Sequence, residues 1–134
     1  VMVNEAVLIT ETGLPIKMTV ADGTGIEKGA LLVLSDPLTA ASQTIEDQAV
    51  AGIAAQEKIA SDGKTTLAVW REGIFRVLGS GTITVGEAVK FDNQANTVGA
   101  ASVNDENLLG IALETASDAE TLLIELKPMT VNLA

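Results

Sequence analysis

The chain of 134 residues contains no cysteine, no histidine and no tyrosine. Without thiols it can form neither a disulfide framework nor a thiolate metal site. Without histidine, the Ser-His-Asp and Cys-His arrangements of nucleophilic catalysis and an imidazole general base are excluded as well. We therefore expect a protein without catalytic residues, without a metal site and without a cofactor.

Aromatic residues are scarce. Trp70, Phe75 and Phe91 are the only ones and make up 2 % of the chain, whereas 47 % of its residues are hydrophobic. The core must therefore be built mostly from Val, Ile, Leu and Ala. Such side chains suit narrow, tightly interdigitated sheets better than a cavity for a planar cofactor.

Positive charge is also scarce, with 8 Lys and Arg against 18 Asp and Glu and a net charge of −10. The basic residues are scattered singly. Because phosphate binding depends on clustered cations, we expect neither nucleic acid nor an anionic membrane as partner. No apolar run approaches the roughly 20 residues of a membrane span. The first residues, VMVNEAVLI, carry no basic region typical of a signal peptide, which leaves a cytosolic product or one whose leader was removed.

One stretch of the sequence occurs twice. GIAAQEKIASDGKTTLAV, residues 52–69, parallels GIALETASDAETLLIE, residues 110–125. Further upstream, IEKGALLVLSD from Ile26 parallels ITVGEAVKFDN from Ile83. All these matches share an offset of about 57 residues, which indicates two diverged copies of one unit.

Two copies are too few for a solenoid, which needs at least three repeats to bury a continuous core. We therefore predict a single domain over residues 1–134 with internal pseudo-duplication. An N-terminal arm (1–10) would precede a first copy (11–66) and a second copy (67–127), followed by a C-terminal tail (128–134).

Strand signals dominate the chain. AVLIT, IKMTV, ALLVL, TTLAVW, IFRVL, AVKF and TLLIEL are short, aliphatic or β-branched, and bounded by Gly, Asp, Asn or Ser. The repeated stretch predicts a β-hairpin, and its leading glycine indicates a bulge or a close backbone approach. The predicted fold class is all-β, a compact β-barrel or β-tulip-like domain with at most one or two short helices.

The segment 35–52 is compatible with two structures. Asp36 followed by Pro37 can begin a helix, and three apolar residues follow at helical spacing, but an ordered loop is equally compatible. The equivalent segment of the second copy, residues 93–108, is polar and predicts a loop. Because the copies differ most here, a specialised contact could lie in this segment.

Two sets of side chains deserve a chemical test. Glu57 and Glu114 hold equivalent places in the two copies and form the best carboxylate pair for an acid/base or metal site, although a solvated hairpin is the simpler interpretation. Lys17, followed by Met18, resembles the lysine of lipoyl or biotin carriers, but the flanking hairpin signature is missing.

Trp70, the only tryptophan, lies on the opposite strand face from Leu67 and Val69. If those two face the core, Trp70 faces outward or into a subunit contact, where aromatic anchors are common. The alternative is a second cluster that buries it within the same subunit.

The N-terminal arm is apolar and could add a strand to the sheet edge of a partner. The alternative is a first strand paired within its own barrel. The candidate partner or subunit contacts are Val1, Met2, Val3, Val7, Leu8, Ile9 and Trp70.

These motifs resemble the decoration or cement proteins of tailed-virus capsids. The similarity covers roughly Ile26 to Lys127. Its strongest elements are the block Ala-Gly-Ile-Ala-Ala-x-Glu-Lys at 51–58 and the turn Ala-Ser-Asp-Gly at 60–63. Neither element contains a catalytic residue, so the resemblance supports a family and no chemistry.

The resemblance implies a small all-β protein that forms a homotrimer and binds the major capsid protein on the outside of an expanded capsid. It would occupy three-fold and quasi-three-fold positions of the virion and reinforce the shell against the internal pressure of packaged DNA, after synthesis in the host cytoplasm. The alternative is a β-rich carrier or ligand-binding module of a host complex.

Overall fold

The computed structural model describes residues 4–43, 48–94, 96–102 and 107–130. They form β-strands and no helix, so the predicted all-β fold class is confirmed. The strands are β1 (Val7–Thr10), β2 (Ile16–Thr19), β3 (Leu31–Asp36), β4 (Thr39–Ser42), β5 (Val50–Ala54), β6 (Thr66–Trp70), β7 (Gly73–Leu78), β8 (Ala88–Phe91), β9 (Val98–Ala100), β10 (Asn107–Ala112) and β11 (Thr121–Thr130).

The strands form a closed barrel and an open sheet. Strands β2 to β6, here called the first half, close the barrel in the order β2-β4-β3-β5-β6. Strands β7 to β11, the second half, form a six-stranded sheet together with β1, in the order β1-β7-β11-β10-β8-β9.

The two halves repeat one pairing order. Hydrogen-bonded neighbours run β2-β6-β5-β3-β4 in the first half and β7-β11-β10-β8-β9 in the second, all antiparallel. A parallel pair, Thr19 with Thr39, closes the first half, and at the equivalent place in the second half an isolated parallel bridge joins Gly79 to Val98 while the sheet stays open. The predicted duplication is therefore present in the strand connectivity, but its boundary lies between β6 (Thr66–Trp70) and β7 rather than after residue 66, which falls within β6.

Local hydrogen bonds repeat as well. Ile26 and Lys58 exchange two backbone hydrogen bonds of 2.8 and 2.7 Å, and Ile83 and Ala116 exchange two of 2.9 and 2.8 Å. The sequence matches therefore mark turns that are built in the same way.

The main core lies between the barrel and the open sheet. On β3, Leu31 and Val33 face this core, whereas Leu32 between them faces the barrel interior. Strands buried on both faces read as continuous apolar runs rather than as an alternation. This double burial explains the runs ALLVL and VAGIA. The barrel interior itself is lined with several alanines, since five strands enclose little space.

A buried asparagine ties the second half to the first. Asn96 is 8 % exposed, and its Oδ1 accepts a hydrogen bond of 2.6 Å from the backbone N–H of Leu31. Its Nδ2 donates to the carbonyl oxygens of Asn4, at 2.7 Å, and Gly29, at 3.2 Å. One side chain thus satisfies three backbone groups from two separate segments, around Asn4 and around residues 29–31.

Gln43 completes this link from the first half. Its Oε1 accepts from the backbone N–H of Asn96 at 2.9 Å, and its Nε2 donates to the carbonyl oxygen of Asp92 at 2.6 Å. Gln43 is 5 % exposed. Because buried polar groups are costly unless they are hydrogen-bonded, the two amides fix how the halves are joined.

The segment 35–52 is neither a helix nor a plain loop in its described part. Strand β3 continues to Asp36, the chain turns through Pro37 and Leu38, and β4 returns antiparallel to β3. Leu38 has a φ of 46°, and its carbonyl accepts from the N–H of Thr19 at 2.7 Å, so pairing with β2 outweighs the local helix signals. The loop predicted over 93–108 is likewise wrong in part, since it contains β9.

The described part of the predicted arm is a strand of its own chain. In β1, Val7 pairs with Arg76 of β7 and Leu8 pairs with Phe75. Ala6 just before it is 4 % exposed and donates its N–H to the carbonyl of Gly29 at 3.0 Å. Of the two alternatives for this segment, intramolecular pairing holds for residues 7–10.

The leading glycines of the repeat are close backbone approaches, as predicted. A Cβ atom on Gly52 would clash with the carbonyl oxygen of Trp70, and one on Gly110 with that of Glu125. The strand register shifts at both places. As a result, Val50 and Ile53, three residues apart, both face the main core.

We expect Gly52→Ala to destabilise the fold strongly. Gly52 has a φ of +144°, and such a backbone costs about 1–3 kcal/mol for a residue with a Cβ, to which the clash with Trp70 adds. Urea unfolding measures this loss. Gly23→Ala is the matched control, because nothing lies within 4 Å of a Cβ at Gly23 and its φ is not positive. Equal stabilities of the two variants would contradict this account of the bulge.

Candidate interaction surface

The two carboxylates of the predicted pair have different surroundings. Glu57 is exposed, whereas Glu114 accepts hydrogen bonds from Arg76 Nη1 at 3.3 Å and from the backbone N–H of Leu123 at 3.0 Å. Among the described residues no group of three or more acidic side chains is placed to hold a metal ion.

The residue equivalent to Glu114 is Gln56 rather than Glu57. Gln56 Oε1 accepts from the backbone N–H of Ala68 at 3.2 Å, which is the counterpart of the bond between Glu114 and Leu123. Both side chains therefore hold the returning strand of a hairpin. The equivalence of Glu57 and Glu114 was wrong because the offset between the copies is 58 residues at this point, one more than at Ile26 and Ile83.

Lys17 does not have the setting of a carrier lysine. It lies within β2, where it pairs with Ala68 of β6, rather than at the tip of a hairpin. Among the described residues no helix is long and apolar enough to cross a membrane.

The most buried charge of the described residues is Lys58, which the sequence did not single out. It is 2 % exposed, and its Nζ donates to Asp62 Oδ1 at 2.7 Å and to Asp22 Oδ1 at 3.0 Å. The carbonyl oxygens of Asp22, at 2.9 Å, and Ile59, at 2.7 Å, complete the shell. The second half has Ala116 at this place, so the ion triad of Lys58, Asp62 and Asp22 belongs to one copy alone.

The contacts of the triad keep Lys58 and Asp62 charged. Burial alone would lower the pKa of Lys58, but the hydrogen bonds and charges of Asp62 and Asp22 outweigh it and raise that pKa above its usual value. The hydrogen bond from Lys58, with another from the backbone N–H of Lys64, lowers the pKa of Asp62 to about 2. A protonated amine is no nucleophile, so the triad is a structural link between two turns.

The second half exposes a broad apolar face, here called the outer face. In one row across the sheet, Val7 pairs with Arg76, which in turn pairs with Leu123. The neighbouring row runs from Ile74 through Glu125 and Ile111 to Ala88. Ile111 is 43 % exposed and Met129, further along β11, is 56 % exposed. The face therefore presents aliphatic side chains to the surroundings.

Charges on the outer face are paired with each other. Arg76 Nη1 lies 3.3 Å from Glu114 Oε1, and Lys127 Nζ lies 3.6 Å from Glu125 Oε2. The face is thus close to neutral on a chain whose net charge is −10.

A cleft of about 320 Å³ opens beside β1, between the two halves. Its apolar walls come from Ala6, Leu8, Ala54, Trp70 and Phe75. Trp70 is half-buried against the main core, and its ring meets that of Phe75 edge-on, with centroids 6.5 Å apart and an interplanar angle of 64°. The two packed rings thus form part of the apolar wall of the cleft.

Three of the candidate contacts meet at this cleft, namely Val7, Leu8 and Trp70. Ile9 is 52 % exposed, and Val7 is 46 % exposed. Val1, Met2 and Val3 lie outside the described residues. A contact role for these seven residues stays a prediction.

The described residues thus form an all-β fold that exposes aliphatic side chains on a chain of net charge −10. The model of the phage cement protein family matches residues 10–128, nearly the whole chain, and the protein therefore belongs to this family. It is a structural component associated with a phage capsid. The resemblance found in the sequence is confirmed.

The fold also occurs in a known phage structure. The N base of the head fiber gp8.5 of bacteriophage phi29 superposes with a TM-score of 0.58 at 12 % identity, over 89 % of this chain and 98 % of that one. At this identity the likeness shows a common fold. No curated protein sequence matches the chain.

We expect stability to fall as the pH drops from about 4 to about 2. The pKa of Asp62 is about 2 in the folded protein against an ordinary value of 3.8, so protonation favours the unfolded state within this window and has no such effect above it. Thermal melts at pH 2 to 6 measure the loss.

Asp62→Asn should lower the stability at pH 6 and flatten this acid dependence, because the variant has no carboxylate to protonate. Glu57→Gln, which removes an exposed carboxylate next to Lys58 in sequence, controls for the change in net charge and should keep the wild-type slope. An unchanged slope in Asp62→Asn would show that other groups cause the acid transition.

Proposed function

We propose that this protein is a capsid decoration protein that binds the outer surface of the shell as a homotrimer, at three-fold and quasi-three-fold positions. There it stabilises the shell against the pressure of packaged DNA. The observation that carries this proposal is the match of the phage cement protein model to residues 10–128. The major capsid protein is the proposed partner.

The architecture supports a passive clamp. Buried side-chain nitrogen and oxygen atoms of the described residues all have hydrogen-bond partners, as is typical of a well-packed native interior. The two amides of Gln43 and Asn96 lock the halves together, and the Lys58 triad locks two turns. A protein that stabilises a shell against internal pressure needs such fixed contacts between its own segments.

Charge limits where the copies can meet. Three copies carry a formal charge of about −30, and their repulsion extends over about 8 Å at physiological salt. Contact therefore needs a near-neutral patch with apolar area, since burial contributes about 25 cal/mol per Å². The outer face supplies both, because its charges are paired and its aliphatic rows are exposed. We infer that it is the subunit contact.

Adding the protein back to capsids that lack it tests the function. Expanded capsids of the parent phage, prepared without the protein, should bind it on co-sedimentation and then release their DNA at a higher temperature. Capsids that bind no protein, or that bind it with no gain in heat resistance, would contradict the proposal.

Ile111→Lys should dissociate the trimer while the monomer stays folded. The side chain is 43 % exposed within the outer face, so a lysine fits sterically but buries three like charges in the assembly. We expect the dissociation constant to rise at least about tenfold, measured by light scattering over a concentration series.

Ile59→Lys is the matched control for this variant. Ile59 is 63 % exposed and lies in the loop between β5 and β6, away from the outer face. It should leave assembly unchanged. A wild-type protein that is monomeric at all concentrations, or equal effects of the two variants, would contradict the outer face as the subunit contact.

A further inference from the structure

We propose that the cleft beside β1 receives an extended segment of the major capsid protein. The segment adds a strand to the open edge of β1, inserts an apolar side chain next to Trp70 and carries basic residues at its ends. This inference rests on the proposed function and identifies which surface contacts the shell.

Strand β1 offers the open edge. It is the end strand of its sheet, with β7 on one side and no strand of the described residues on the other. The closed barrel has no free edge. At the far end of the open sheet, β9 is already paired, because Gly79 forms a parallel bridge with Val98 and the N–H of Ser80 donates to the carbonyl oxygen of Val98. An end strand presents unpaired N–H and C=O groups that a partner strand can use.

The cleft provides a pocket next to this edge. Val7 and Leu8 of β1 line it together with Ala54, Trp70 and Phe75. In strand addition, main-chain hydrogen bonds supply affinity and pockets for alternate side chains supply specificity. A volume of about 320 Å³ lies at the lower end of binding clefts, which suits one or two aliphatic side chains rather than a cofactor.

The charges around the edge select the occupant. Glu5 lines the cleft, Glu11 directly follows β1, and the side chain of Glu72 packs beside Gly13 just beyond it. Lys28 is the single basic residue that lines the cleft. These four residues together carry a charge of −2, which attracts a basic segment. They disfavour a second copy of this chain, whose own net charge is −10.

The only tryptophan of the chain reports on the cleft directly. The probe is a peptide of sequence Lys-Arg-Thr-Val-Leu-Val-Thr-Arg-Lys, which has no aromatic residue. We expect a saturable change in the fluorescence emission of Trp70 as the peptide is added. Binding should be weaker at high salt, because salt screens the electrostatic attraction between the basic peptide and the glutamates. Two control peptides, one with Glu and Asp in place of its four terminal basic residues and one with Pro in place of the central Leu, should bind at least about tenfold more weakly.

Filling the cleft should block the site. Ala55 is half-buried and lines it, so Ala55→Leu occupies the pocket without removing a contact. We expect this variant to bind both the peptide and, in the co-sedimentation assay, the capsids at least about tenfold more weakly than the wild type does. Ala41→Leu, on the exposed side of β4, is the matched control and should bind as the wild type does. Circular dichroism checks that both variants are folded.

The outcomes separate this inference from the proposed function. If the wild type and Ala55→Leu bind capsids equally well, the protein is a decoration protein but the cleft is not its docking site. If the wild type binds no capsids, the proposed function itself fails. Equal binding of the basic and acidic peptides would also overturn the inference.

Discussion

The burial of β3 and β5 on both faces is the constraint on which the rest of the structure depends. One face of each strand closes the barrel, and the other packs against the open sheet, where Leu31, Val33 and Ile53 join the main core. A chain of 134 residues with three aromatic side chains gains most of its stability from such aliphatic burial. The two halves therefore share one hydrophobic core.

Divergence between the copies follows from this packing. The first copy closes into a barrel and holds two turns with Lys58, whereas the second stays open, has Ala116 at the equivalent place and accepts β1 at its edge. The open half is the one that exposes a sheet face and a free strand edge. In the proposed assembly, the closed copy is the rigid support and the open copy provides the surfaces for partners.

The two proposed contact surfaces differ in charge, so they suit different partners. The outer face has its charges paired, whereas three glutamates, Glu5, Glu11 and Glu72, and one lysine, Lys28, lie around the cleft and the edge of β1. Under the two proposals, copies of a chain of net charge −10 meet at the near-neutral surface, and a basic partner is drawn to the other. Electrostatics would then direct each surface to a different partner.

The sequence by itself determined the all-β class, the repeat, the glycine bulges at Gly52 and Gly110 and the phage cement family, because short apolar runs, turn residues and spacing are local signals. Only the tertiary structure decided the rest. Strands β4 and β9 each pair with the strand before them and also with an earlier residue, Thr19 for β4 and Gly79 for β9. This pairing overrides the helix signal after Pro37 and the polarity around Asn96. Trp70 and Leu8 meet at one cleft, and Lys58 is buried, only because the chain brings together segments that no local pattern relates.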